Sequence, residues 1–170
     1  MTLQRATRIV RKSEIGAQPV ADNITLDRAS RYRRRVAMTT DGGRSVLLDL
    51  PEATYLADGD ALQLEDGALV RIIAAPEPLM QIHAADAHAL ARIAWHLGNR
   101  HTPAEITADA IYIQPDHVLE AMVVGLGAHV HAVVRPFEPE GGAYGGKGPP
   151  HTSHHHHGHD HPHQHHHAHE

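Results

Sequence analysis

The stretch that most limits what this chain can fold into is its last twenty residues, His151 to Glu170, which read HTSHHHHGHDHPHQHHHAHE. Twelve of them are histidine, and no aliphatic side chain there is larger than that of Ala168. Such a segment cannot bury enough apolar surface to offset the entropy of ordering its backbone, so a disordered tail is predicted. What it offers is an array of imidazoles, neutral above roughly pH 6.5, each with a nitrogen lone pair for a borderline divalent metal ion. The candidate ligands in it are His151, His154, His155, His156, His157, His159, His161, His163, His165, His166, His167 and His169. An expression tag is the bland alternative. The interruptions at Gly158, Asp160, Pro162, Gln164 and Ala168 argue against it, because tags are usually uniform runs. The composition says metal binding without saying to what end.

Gly141 to Pro150 is rich in glycine and proline and reads as a linker, which leaves roughly 140 residues for one ordinary domain or two small ones. Cysteine is absent, which excludes a disulfide scaffold, a CxxC redox site and any thiolate-based zinc or iron–sulfur centre. It also disfavours Cu(I), which prefers sulfur. The N-terminus, MTLQRATRIVRKSEIG, has no apolar run like that of a signal peptide. No stretch reaches the roughly 18 apolar residues of a membrane span. The expectation is a soluble, cytoplasmic protein with no membrane partner.

Charge is distributed unevenly. Residues 1–44 hold ten of the fifteen Lys and Arg against four acids, and residues 45–170 hold five against sixteen. The densest basic piece is Arg31-Tyr32-Arg33-Arg34-Arg35. On a strand, Arg31, Arg33 and Arg35 would line one face. The expectation is a solvated strand whose charges discourage edge pairing, with a docking surface for an acidic protein as the second reading. Nucleic acid is not expected, because no aromatic stacking set or helix-turn-helix pattern accompanies the charge.

From Thr7 to Ala75 the signals are short strands and tight turns: Arg8–Arg11, then Arg34–Met38 turning at Asp41-Gly42-Gly43 into Ser45–Leu50. Asp58-Gly59 and Asp66-Gly67 flank Leu62–Leu64, and Ala68–Ile73 follows. No helical apolar period is sustained, so residues 1–75 are predicted to be a small all-β domain. Pro76-Glu77-Pro78 punctuates the chain, and Leu79–His83 reads as a strand. Asp86 is a plausible N-cap for a helix to Leu97, with Leu90, Ile93, Ala94 and Leu97 on one stripe and Gly98 at the C′ position. Glu105–Thr107 and Ala110–Ile113 read as strands. Asp116 caps a second helix with Val118, Leu119, Met122, Val123 and Leu126 on its apolar stripe, ended by Gly125 and Gly127. Ala128–Arg135 is a last strand. The order βαββαβ over residues 76–140 predicts a ferredoxin-like domain, and residues 141–170 the linker and tail. The predicted class is α+β.

Seven histidines lie outside the tail: His83, His88, His96, His101, His117, His129 and His131. His88 and His96 are about two helical turns apart, too far to share an ion, and read as exposed helix residues. His129 and His131 point the same way on a strand, as a solvated face or as part of a minor metal site. His101 follows the helix on a short connection that can present a side chain without packing it. One imidazole is not a metal site, but a twofold axis nearby would supply two, with tails or water completing Ni²⁺ or Zn²⁺ coordination. Enzyme signals are weak. There is no HExxH, and GGAYGGKG at Gly141–Gly148 matches a phosphate loop only superficially, since Gly148 stands where a Ser or Thr is needed. Glu138 and Glu140 form a carboxylate pair with no partner visible in the sequence.

The segments AWHLGNRH ending at His101, DHVLEAM at Asp116–Met122 and PFEPEGGAY at Pro136–Tyr144, with the histidine-rich end, resemble the urease accessory nickel chaperone family, UreE. GNRH and PFEPE in this order carry most of the specificity, and the first half fits in type only. The resemblance implies a homodimer whose ferredoxin-like domains meet at a twofold axis, where His101 and its symmetry mate bind Ni²⁺, with Zn²⁺ or Cu²⁺ as alternative ions. It implies an N-terminal domain for protein contacts and partners in the accessory GTPase and the complex of apo-urease with accessory proteins. It implies delivery and not catalysis. His117 matches an auxiliary, more peripheral ligand of some members, whose second auxiliary histidine is replaced here by Pro115. A nickel or zinc storage protein without specific delivery is the alternative, and an adaptor using the basic N-terminal face is a third class.

Overall fold

The computed structural model describes residues 3–141. The tail ligands from His151 to His169 lie outside the described residues. The first half is a six-stranded sheet built from β1 (Gln4–Val10), β2 (Val20–Leu26), β3 (Tyr32–Thr39), β4 (Ser45–Tyr55), β5 (Ala61–Leu64) and β6 (Leu69–Ala74). Its strand order is β2-β6-β5-β1-β4-β3. The pairs β1–β4 and β2–β6 are parallel, and the other three are antiparallel. Alternation drives this. In β4 the side chains of Val46, Leu48 and Leu50 are buried at every second position, and they join Ala6, Ile24, Leu62, Val70 and Ile72 in one core. Pro51 also lies in β4, but within a bulge where pairing jumps from Arg35↔Asp49 to Arg33↔Thr54, so its missing N–H leaves no ladder bond unmade. The sheet coils until its edges meet: the Asp41 amide donates to the Asn23 carbonyl at 2.8 Å. The Asp22 carboxylate accepts from Thr40 Oγ1 at 2.6 Å.

Helical content in this half is limited to two single turns, α1 (Lys12–Ile15) and a 3-10 turn at Arg28–Arg31. The 3-10 turn corrects the reading of the basic run. Arg31 is its last residue and is 0% exposed. It therefore does not share a solvated strand face with Arg33 and Arg35, and the bulge between those two breaks the alternation as well.

The second half has β7 (Pro76–His83), α2 (Ala87–Gly98), β8 (Glu105–Ile106), β9 (Ile111–Ile113), α3 (His117–Gly125) and β10 (His129–Pro136). Its sheet is antiparallel in the order β10-β7-β9-β8, the ferredoxin-like arrangement. Both N-caps are as predicted. Asp86 accepts from the Ala89 amide at 2.8 Å, and Asp116 from the amides of Val118 and Leu119 at 2.8 and 3.0 Å. Leu90, Ile93 and Leu97 of α2 and Val123 of α3 pack on Met80, Ile82, Ile111 and Ile113. Val118 departs from its expected place on the α3 stripe and is 63% exposed.

The two halves are fastened where β10 ends. Phe137 is fully buried. Its carbonyl and the Glu138 carboxylate accept from the two terminal nitrogens of the buried Arg31 guanidinium. The guanidinium also lies 5.3 Å from the Tyr55 ring centre. Burial pushes the Tyr55 phenol up to about 12. The Glu77 carboxylate accepts from the Arg28 amide at 3.1 Å, adding a second tie. Glu138, one of a carboxylate pair without an evident partner in sequence, is thus half of a partly buried ion pair that joins the two halves of the chain.

Candidate metal centre

Helix α2 ends differently from the expectation. Gly98 is the last helical residue and Asn99 is still helical, at φ −63° and ψ −17°. The left-handed position falls on His101, at φ 53°, where no other non-glycine residue among those described has a positive φ. The Thr102 amide donates to the Leu97 carbonyl at 3.2 Å, and the His101 amide to the Gly98 carbonyl at 2.9 Å. That pair of bonds is a Schellman motif with histidine in the place usually held by glycine. The reason lies in the hydrogen bonds: one extra turn continues through Arg100, whose amide reaches the Leu97 carbonyl at 3.1 Å, before the chain reverses. The left-handed region costs an L-residue about 1–2 kcal/mol. Strain of this kind persists where surrounding bonds over-determine the backbone, and it holds the Cα–Cβ vector of His101 in one direction.

Around this corner, His101 is exposed, the Trp95 side chain is 63% exposed, and the His96 ring meets it edge-on at 5.0 Å. Arg100 donates to the His96 carbonyl at 3.0 Å, tying the last turn back on itself. His117 is the first residue of α3, directly after the Asp116 cap, and is exposed. His101 and His117 thus sit at the ends of two different helices. Among the described residues, no three or more His, Cys, Asp or Glu side chains gather around one point as a metal would require. The chemistry of the corner is that of an imidazole on a fixed backbone, suited to a borderline divalent ion when further nitrogen donors arrive from elsewhere.

Sequence spacing groups His129 with His131, and the structure adds His83. Antiparallel pairing of β7 and β10 sets His129 opposite His83, and the rings of His83 and His131 stand 6.1 Å apart, edge to face. The signal was in the register of two strands about fifty residues apart in the chain, which no local pattern encodes. On α2, His88 is exposed as predicted, whereas His96 is half-buried.

Comparison with known proteins follows the same division of the chain. The family model described as the UreE urease accessory protein N-terminal domain matches residues 6–75, and that of the C-terminal domain matches residues 77–169. The urease accessory protein UreE of Azorhizobium caulinodans is 59% identical over 140 residues, covering 82% of this chain and 67% of that protein. Those of Bradyrhizobium sp. strain BTAi1 and Rhodopseudomonas palustris strain HaA2 are 54% and 50% identical, over 82% and 80% of this chain and 68% and 66% of theirs. The chain thus spans about two thirds of the length of these relatives. Two adjoining family models that together account for most of the chain, with relatives at this identity, show that the chain belongs to the UreE family of urease accessory proteins.

Proposed function

We propose that this chain is a nickel metallochaperone that delivers Ni²⁺ to apo-urease during assembly of the urease active site. In this reading residues 76–140 dimerise about a twofold axis and His101 from each protomer binds the ion. Residues 1–75 make protein contacts, with the accessory GTPase and the apo-urease complex as partners. The histidines of residues 141–170 collect metal for that site, His117 is a peripheral ligand, and the protein works in the cytoplasm without catalysing a reaction. The observation that carries the proposal is the exposed His101, held in a left-handed conformation at the end of α2. A residue kept at a conformational cost, where glycine would be cheaper, is retained for its side chain. Imidazole fits a delivery role, since nickel accepts nitrogen donors while Cu²⁺ lies above it in the affinity order, so partners and metal supply set selectivity. Affinity falls below about pH 6 as the imidazoles protonate.

Nickel titration of the full chain, of His101→Ala and of a chain ending at Tyr144 tests this, alongside urease activation in a reconstituted mixture. The shortened chain should keep the tight site, about one ion per dimer, and lose the ions held by the tail, and His101→Ala should lose the tight site and activation. The tail composition favours storage as a second reading. Under storage, His101→Ala would cost little of either capacity.

A further inference from the structure

The face of the four-stranded sheet turned away from α2 and α3 carries three histidines at one end. Met80, Ile82 and Val130 belong to the core beneath the helices, so their neighbours His83, His129 and His131 project from the opposite face. His129 pairs with His83, and His131 with Gln81. Directly opposed residues have Cβ atoms about 4.5–5.5 Å apart, and diagonal neighbours about 7–8 Å. As they stand the three rings do not converge on one point, and rotation of the side chains about their χ angles is what would bring them together.

His83 is the anchored member. Its Nδ1 lies 3.1 Å from the Asp109 carbonyl oxygen. A carbonyl only accepts, so Nδ1 carries the proton and Nε2 keeps its lone pair. Metal-binding imidazoles are oriented in this way, with the second ring nitrogen donating to a backbone carbonyl. His129 and His131 are exposed and can turn without disturbing the core. With metal–nitrogen distances of about 2.0–2.1 Å, two imidazoles on one ion stand roughly 5 Å apart centre to centre. The 6.1 Å between His83 and His131 needs only side-chain rotation to close. Arg135, on the same face, is four residues from His131, roughly 13 Å along the strand. Its guanidinium is neutralised by Glu105 at 2.6 Å and stacked 4.0 Å from the Tyr112 ring centre, so it does not oppose a cation at the trio.

We propose that His83, His129 and His131 form a divalent-metal site on the open sheet face, distinct from His101, which takes Ni²⁺ with water completing its coordination. Three neutral imidazoles and open positions suit a borderline ion held for exchange. The site stands independently of the role given to His101.

Histidine carbethoxylation of the full chain by diethyl pyrocarbonate, mapped by peptide mass spectrometry with and without saturating Ni²⁺, tests it. Ni²⁺ should protect His83, His129 and His131 from modification. His131→Ala should return His83 and His129 to their metal-free rates while leaving the behaviour of His101 unchanged, and His129→Ala should do the same for His83 and His131. The proposal is overturned if the three react equally fast with and without nickel, or if protection of His83 survives both substitutions. Protection of the trio with an unprotected His101 would sink the interface site and leave this one standing.

Discussion

Glycine and alanine at position 101 separate what the backbone needs there from what the imidazole does. Both substitutions delete the same ring, so whatever contacts it makes cancel in the comparison. What differs is the cost of φ 53°. Alanine keeps the left-handed penalty of about 1–2 kcal/mol. Glycine removes it but gives the unfolded chain about 0.5–1 kcal/mol of extra conformational entropy. The net expectation is that His101→Gly is more stable than His101→Ala by about 0–1.5 kcal/mol, with a central value of about 0.75 kcal/mol. For a chain of this length that central value is roughly 1–4 °C in Tm. The original histidine should lie between the two or level with glycine, since histidine tolerates this region better than most L-residues.

Differential scanning calorimetry on metal-free protein with chelator present reads this directly. Nickel must be absent, because binding to the folded state alone would raise Tm by mass action and mask a gap this small. Isothermal titration with Ni²⁺ on the same two variants should show the tight site missing from both. Alanine more stable than glycine would mean that residue 101 does not hold a left-handed backbone in solution. The side chain would then not be aimed by strain, whatever nickel does.

Arg31→Met keeps much of the side-chain length while removing the guanidinium that donates to the Glu138 carboxylate and the Phe137 carbonyl, with the Asp58 amide still donating to Glu138 at 3.3 Å. Breaking a buried pair costs about 3–5 kcal/mol, and with Glu138 30% exposed, about 2–4 kcal/mol is expected in urea unfolding. A loss below about 0.5 kcal/mol, the range of an ordinary surface change, would dismiss the fastening role. Asp22 is held below the usual carboxylate range, first by the Thr40 hydroxyl, then by the Asn23 amide. A lowered folded pKa contributes stability above the unfolded value of about 3.9 that is lost as pH falls through the folded one. Asp22→Asn should therefore be less stable at neutral pH, with the gap to the original protein shrinking below about pH 4. A urea midpoint difference that stays constant on acidification would contradict this.

Elements with local causes are legible in the sequence. Asp86 and Asp116 cap the helices they precede, Asp41-Gly42-Gly43 turns β3 into β4, and the βαββαβ order appears as a ferredoxin-like sheet. What escapes is set by partners distant in the chain. The strand at Val20–Leu26 alternates in burial but reads weakly in sequence, because Asp22 holds one of its half-buried positions and takes its partner from Thr40. Arg31 reads as surface until Phe137 and Glu138, more than a hundred residues later, supply its acceptors. At the metal corner, composition and motif point to His101, but glycine preference places the helix end at Gly98. The extra turn that moves the left-handed position to His101 depends on the amides of Arg100, His101 and Thr102, which no propensity resolves. His83 joins His129 and His131 only through strand register.

Arg31 and Glu138 are separated by 107 residues. At about 5–20 residues per second, a ribosome needs roughly 5–20 s to make the second after the first. Once Ala74 has been made the six-stranded sheet has all its strands, yet for the next 64 residues it lacks the Phe137 and Glu138 acceptors of its Arg31 guanidinium. The nascent first half therefore presents a cationic socket beside the Tyr55 ring until the ferredoxin-like half is nearly finished. Its final tightening is a late event in biosynthesis, timed by the far end of the chain.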